Sequence, residues 1–138
     1  MDFLKANSNR YSVRSFSDKD VDDKILTNIV KQAQQAPSWA NAQPWKVCIA
    51  KGDTLDRIKR AYHNNNIKGL VGDSDFYTMH RNQWGNFARR NMAGWNNDFS
   101  RFLINNRVNF GEISDKLFDA PAVAFLTIEE FNPWSFMT

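Results

Sequence analysis

Two short stretches hold the residues best suited to chemistry. The first is "NRYSVRSF", residues 9–16, where Arg10, Ser12 and Arg14 alternate with Tyr11 and Val13. In an extended segment alternate side chains point the same way, so two guanidiniums and a hydroxyl would converge. A guanidinium presents a planar fork that matches phosphate oxygens, and the hydroxyl adds a further donor. The pattern suits a phosphate; it suits a surface salt-bridge cluster as well. The second stretch is "APSWANAQPW", residues 36–45, with two prolines, two tryptophans, Ser38, Asn41, Gln43 and no charge. Prolines hold a turn in shape, so less ordering entropy is lost when it binds something.

Other chemistry is hard to assemble. His63 and His80 lack metal-ligand spacing with a cysteine or with each other. No G-x-S-x-G, G-x-x-x-x-G-K-[ST] or G-x-G-x-x-G run occurs. The single cysteine, Cys48, sits in an apolar run and reads as a small buried hydrophobe. No carboxylates cluster. If the chain takes part in catalysis, a cofactor carries the reaction, so no catalytic side chain and no metal site is assigned.

The 138 residues suit one domain, residues 1–138, and a fold of that size buries roughly 68% of its unfolded-chain surface. One cysteine excludes a disulfide framework within the chain and fits a reducing compartment. No run approaches the roughly 18 apolar residues of a membrane span, and the start, "MDFLKANSNR", has no signal-peptide character. A cytoplasmic protein with no membrane partner is the expectation. The net charge of +3 is uneven: residues 1–70 hold 12 Lys/Arg against 7 Asp/Glu, residues 71–138 hold 6 against 8. The basic half invites an anion, either a small phosphorylated ligand or a nucleic acid. No RNP-like or helix-turn-helix signature supports the latter, so no nucleic-acid partner is expected.

Several elements must position the two stretches. Residues 1–9 suit a short helix. Val21, Ile25, Leu26, Ile29, Val30 and Ala33 recur at helical spacing, with Asp20 as the predicted N-cap and Pro37 as the stop. "WKVCIAKG" reads as a strand. Asp53 is predicted to cap a short helix ending near Ala61 that turns Leu55 and Ile58 inward. The polar run from Tyr62 reads as turn chemistry. From about Thr78 a long helix is predicted, with Trp84, Ala88, Met92, Trp95, Phe99, Phe102 and Leu103 forming a stripe, and with a kink or break allowed at Gly85 and Gly94. "NFGEISDKLF" is a short link, and "PAVAFLTIEE" reads as a buried strand. Helices and strands mix without strict alternation, which gives the α+β class.

Taken together, the two stretches resemble the FMN-dependent nitroreductase family. Arg10, Ser12, Arg14 and Phe16 match R-x-S-x-[RK]-x-[FY]; Pro37, Ser38, Asn41, Gln43, Pro44 and Trp45 match P-[ST]-x-x-N-x-Q-P-W, about 20 residues later and after a helix. A third segment, "FDAPAVAFLTIEEFNPWS", residues 118–135, also looks like the family. The resemblance implies a mixed or antiparallel sheet flanked by helices, incomplete at the C-terminus. It implies that Arg10 and Ser12 hold the FMN phosphate and that Arg14 lies nearer the pyrimidine edge. It places Pro37, Ser38, Trp39 and Asn41 against a flavin held mainly by the other subunit of a homodimer, with Trp45 packed at the start of the strand. The stripe around Trp95 and Phe99 would either lend a residue to the acceptor pocket or simply pack in the core or an oligomer interface.

The activity so implied is ping-pong, two-electron transfer from NAD(P)H to a small-molecule acceptor such as a nitroaromatic or quinone. A non-catalytic FMN- or nucleotide-binding protein of the same fold is the alternative. Relatives carry a further C-terminal part with a glycine-containing segment near flavin N5 and a basic pair at the phosphate, and neither can be assigned here. A fragment and a naturally short member are both consistent with that.

Overall fold

A computed structural model describes residues 2–129. Helix α1 (Phe3–Ser8) is opened by Asp2, whose carboxylate accepts from the Lys5 amide at 2.9 Å. Residues 10–22 then run without helix or strand. Helix α2 (Asp23–Ala33) starts later than Asp20 capping would give. The cap is Asp22, which accepts from Lys24 N at 2.7 Å. Asp20 is drawn off instead toward Lys51: the Lys51 ammonium sits 2.8 Å from Asp23 and 3.2 Å from Asp20, and donates to the Val21 carbonyl. The hydrogen bond to Asp23, followed by the one to Asp20, holds the Lys51 pKa above its ordinary value. This cluster ties the start of α2 to the end of strand β1 (Trp45–Lys51).

Gly52 carries the chain from β1 straight into α3 (Gly52–Ile67) with φ of +49°, a conformation that costs a residue with a Cβ roughly 1–2 kcal/mol. Lys51 rather than Asp53 occupies the cap position, and Asp53 lies in the first turn, where its charge meets the positive helix end. The helix continues past Ala61, so the polar run from Tyr62 is helical as far as Ile67. The turn preference of Asn64, Asn65 and Asn66 loses there. Asn66 and, one turn earlier, His63 both find a carboxylate partner on a later helix, described below.

The long helix is shorter than its apolar stripe predicts. Trp84 lies outside it, just after a 3-10 turn (Arg81–Gln83), and Gly85 is the N-cap of α4 (Asn86–Asn106). Gly94 sits inside α4 without breaking it. Helix α5 (Phe110–Asp115), capped by the Asn109 side chain, leads through a 3-10 turn (Leu117–Asp119) into β2 (Ala122–Ile128). The two strands pair antiparallel, from Trp45 opposite Ile128 to Lys51 opposite Ala122. The last part of the third motif, residues 130–135, lies outside the described residues.

Among the described residues only Ala50, Leu55 and Ala120 are buried. They meet where β1 ends, α3 begins and β2 is entered, and Lys59 closes the spot by donating to the Ala120 carbonyl at 2.8 Å. Ile58 is half-buried and Trp45 likewise. Two expectations of burial fail. Cys48 is exposed, and β2 is mostly uncovered, with Leu126 72% exposed. The reason is architectural: among the described residues the sheet has two strands, so each is an edge, and most side chains of β2 stay exposed. The chain exposes 11996 Å², whereas a compact monomer of 16.0 kDa exposes about 7,400 Å². Among the described residues no helix is long and apolar enough to cross a membrane.

Candidate functional site

The turn at residues 36–45 is held from within. Ser38 Oγ accepts from the Gln43 amide at 2.9 Å; the Gln43 side-chain amide donates to Ala36 O and to Asn41 Oδ1, each at 3.2 Å. Ala40, Asn41 and Gln43 all have positive φ, at 49°, 54° and 45°. Left-handed backbone at residues other than glycine is costly, and it persists only where surrounding bonds impose it. Gln43 supplies those bonds. The motif contains Gln43, yet sequence reasoning gave it no role in the site; its place beside two prolines in a charge-free turn was the available signal.

The consequence is a turn that presents its large groups outward. Trp39 is 72% exposed, and Pro37 and Asn41 are exposed beside it, while Ser38 is half-buried by its bond to Gln43. Asn41 and Gln43 also border an open groove of roughly 760 Å³ between α2 and the sheet, whose apolar walls include Val30, Trp45, Val47 and Leu126.

The other stretch is anchored at its C-terminal end. The Phe16 amide donates to the Phe118 carbonyl at 3.0 Å, and the Arg14 guanidinium lies over the Phe118 ring, 5.7 Å from its centroid. Arg10, Ser12 and Arg14 are exposed. Among the described residues none of the three side chains has a carboxylate partner or a hydrogen bond, so their donors stay available to an anionic ligand. No hydrogen bond, ion pair or ring contact among the described residues joins this stretch to the turn at 37–41.

Phe118, which sequence reasoning placed only at the head of a motif, thus touches the site directly. It also ends a run of rings. Trp95 stacks on Phe99 at 4.9 Å, Phe99 meets Phe110 edge-on at 5.1 Å, and Phe110 lies 6.0 Å from Phe118. Offset and edge-on pairs of this kind contribute about 0.5–1.5 kcal/mol each beyond area burial. Along α4, Phe87, Trp95 and Phe102 remain largely in solvent.

The chain is similar in sequence and in fold to several known proteins. Over 83 residues the chain is 37% identical to a putative NAD(P)H nitroreductase of Streptococcus pyogenes, covering 54% of this chain and 42% of that protein. Over 58 residues it is 36% identical to an iodotyrosine dehalogenase 1 homolog of Caenorhabditis elegans, covering 42% of this chain and 18% of that one. The backbone superposes on the FMN and NADPH-dependent nitroreductase NfnB from sphigopyxis sp. strain HMH with a TM-score of 0.81 at 23% identity, over 99% of this chain and 65% of that chain. The chain therefore spans less than two thirds of the length of each. Residues 8–136 match the profile of the nitroreductase family, and with the mixed fold and both motifs in place the chain belongs to that family.

Proposed function

We propose that the chain forms part of an FMN-dependent NAD(P)H oxidoreductase acting on nitroaromatics, quinones or similar small acceptors. When bound, FMN would take up a hydride from NAD(P)H and pass two electrons to the acceptor, in ping-pong order. Arg10 and Ser12 hold the phosphate, and Arg14 faces the pyrimidine edge of the ring. Pro37, Ser38, Trp39 and Asn41 would line the flavin, with the indole and the proline as its apolar surface and Ser38 and Asn41 as its polar partners. The single observation that carries this reading is the pair of pre-set surfaces: exposed guanidiniums with no hydrogen-bond or carboxylate partner among the described residues on one stretch, and a strained, internally bonded turn with an outward indole on the other.

The two stretches serve one site most simply if they come from different copies of the chain. No hydrogen bond, ion pair or ring contact among the described residues joins them within one copy, and the exposed area exceeds that of a compact monomer by about 4,600 Å². Obligate assemblies bury about 2,000–5,000 Å² in total over both partners, so pairing would cover part of that excess. The reading is therefore a homodimer with two flavin sites, each using both chains. The test is to release and chromatograph bound flavin after reconstitution, then to follow NAD(P)H oxidation with a nitroarene or quinone. FMN recovery with acceptor-dependent oxidation supports the proposal. FMN without oxidation favours a non-catalytic FMN-binding protein, and FAD or no flavin contradicts both.

A further inference from the structure

We infer that Phe118 is a positioning residue for the ligand-binding arginine, setting the Arg14 guanidinium through its ring and the end of the stretch at Phe16 through its carbonyl. The inference rests on the proposed role of Arg14 toward FMN. Several observations meet at this residue. The ring lies under the guanidinium at 5.7 Å, inside the roughly 6 Å range of a cation–π contact. The carbonyl accepts from Phe16 N at 3.0 Å. The backbone of Leu117, Phe118 and Asp119 is left-handed throughout, with φ of 51°, 60° and 57°. Such residues in succession, none of them glycine, need outside support.

That support comes from both sides of the turn. Upstream, the Asp115 carboxylate is gripped by two side chains of α3: Asn66 Nδ2 donates to Oδ1 at 2.6 Å and His63 Nδ1 pairs with Oδ2. The Asn66 bond first, then the His63 bond, holds the Asp115 carboxyl below its ordinary pKa. Laterally, the rings of Phe110, Phe99 and Trp95 brace Phe118 back to α4. A guanidinium seated on a ring face keeps its N–H groups in plane and free. Phe118 can therefore aim Arg14 without consuming the donors a ligand needs, which a carboxylate in its place would do.

A double-mutant cycle reads this by FMN fluorescence titration, with the flavin midpoint potential as a second measurement. Phe118→Leu is expected to weaken FMN binding about two- to five-fold, the range a modestly exposed cation–π contact represents. The same change in an Arg14→Ala background is expected to do almost nothing, because the group it aims is gone. Phe118→Trp should restore affinity, and Phe118→Leu should move the potential in the direction that Arg14→Ala does. If Phe118→Leu fails to fold, Phe118→Gly replaces it, since glycine takes this left-handed φ without strain. Equal losses in both backgrounds, or no loss in either, would overturn the inference while leaving Arg14 in place. An Arg14→Ala chain that binds FMN like the parent would overturn the role of Arg14 itself, and the inference with it.

Discussion

Replacing Arg10 with Ala is expected to weaken FMN binding by about 1.5–3 kcal/mol, the scale of a hydrogen bond to a charged group, or roughly ten- to a hundred-fold in Kd. The reasoning starts from its surroundings. Arg10 is exposed and has no carboxylate partner among the described residues, so its removal breaks no ion pair of the fold. A loss of affinity would then report a ligand contact, not a loss of stability. Arg14→Ala should cost a similar amount and should differ in one respect. A cation at the pyrimidine edge favours electrons arriving on the ring, so its loss should lower the flavin midpoint potential, whereas the Arg10 change should leave the potential close to that of the parent. Raising the salt concentration should narrow the gap between Arg10→Ala and parent, because exposed charge contacts are screened. Titration of both variants by flavin fluorescence at two salt concentrations checks the affinities, and a redox titration of the bound flavin checks the potentials. Parent-like affinity in both would show that the phosphate is held elsewhere.

The second large effect concerns stability. Among the described residues the core is Ala50, Leu55 and Ala120, which is small for a chain of this length. Exposed side chains include Ile25 and Ile29 on α2, Phe87, Trp95 and Phe102 on α4, and Phe125 and Leu126 on β2. Apolar area left in water costs about 25 cal/mol per Å² relative to burial, so covering these faces with a second copy outweighs much of what the isolated chain lacks. Folding and association should then be one process. The midpoint of thermal unfolding is expected to rise with protein concentration, as it does wherever the folded form is the assembled form. Unfolding followed by circular dichroism over a wide concentration range, with light scattering for the mass, measures it. A midpoint independent of concentration, with the mass of a monomer, would refute the shared-site arrangement.

How much of this was legible in the sequence follows from how local each cause is. Helix α2 and strand β1 could be read because their apolar spacing and the breaker Pro37 act within a few residues. The cap of α2 could not be, because Asp20 and Asp23 are claimed by Lys51, which lies far along the sequence at the end of β1. The extension of α3 to Ile67 was hidden for the same reason: its Asn-rich end favours a turn locally, and His63 and Asn66 are held by Asp115 from another helix. Cys48 and β2 looked buried because an apolar strand carries no mark of how many neighbours will cover it. At the candidate site the two motifs were visible as donors and a stiff turn. The strain at Ala40, Asn41 and Gln43, and the seating of Arg14 on Phe118, depend on contacts that only the folded chain brings together.

The central claim is that one flavin site is built from residues 10–14 of one chain and residues 37–41 of another. Mixing two defective chains tests it most directly. An Arg10→Ala chain and a Trp39→Ala/Asn41→Ala chain are each expected to retain little FMN. Co-refolded in equal amounts, they form heterodimers in which one site collects both defects and the other collects neither. Random pairing in a symmetric dimer makes half of the dimers mixed, so about one quarter of all sites should be intact. Flavin absorbance per chain in the mixture is therefore predicted to recover to about a quarter of the parent value. Occupancy that stays at the average of the two separate variants would contradict the account, because it would mean that both stretches serve the same site from within a single chain, or no site at all.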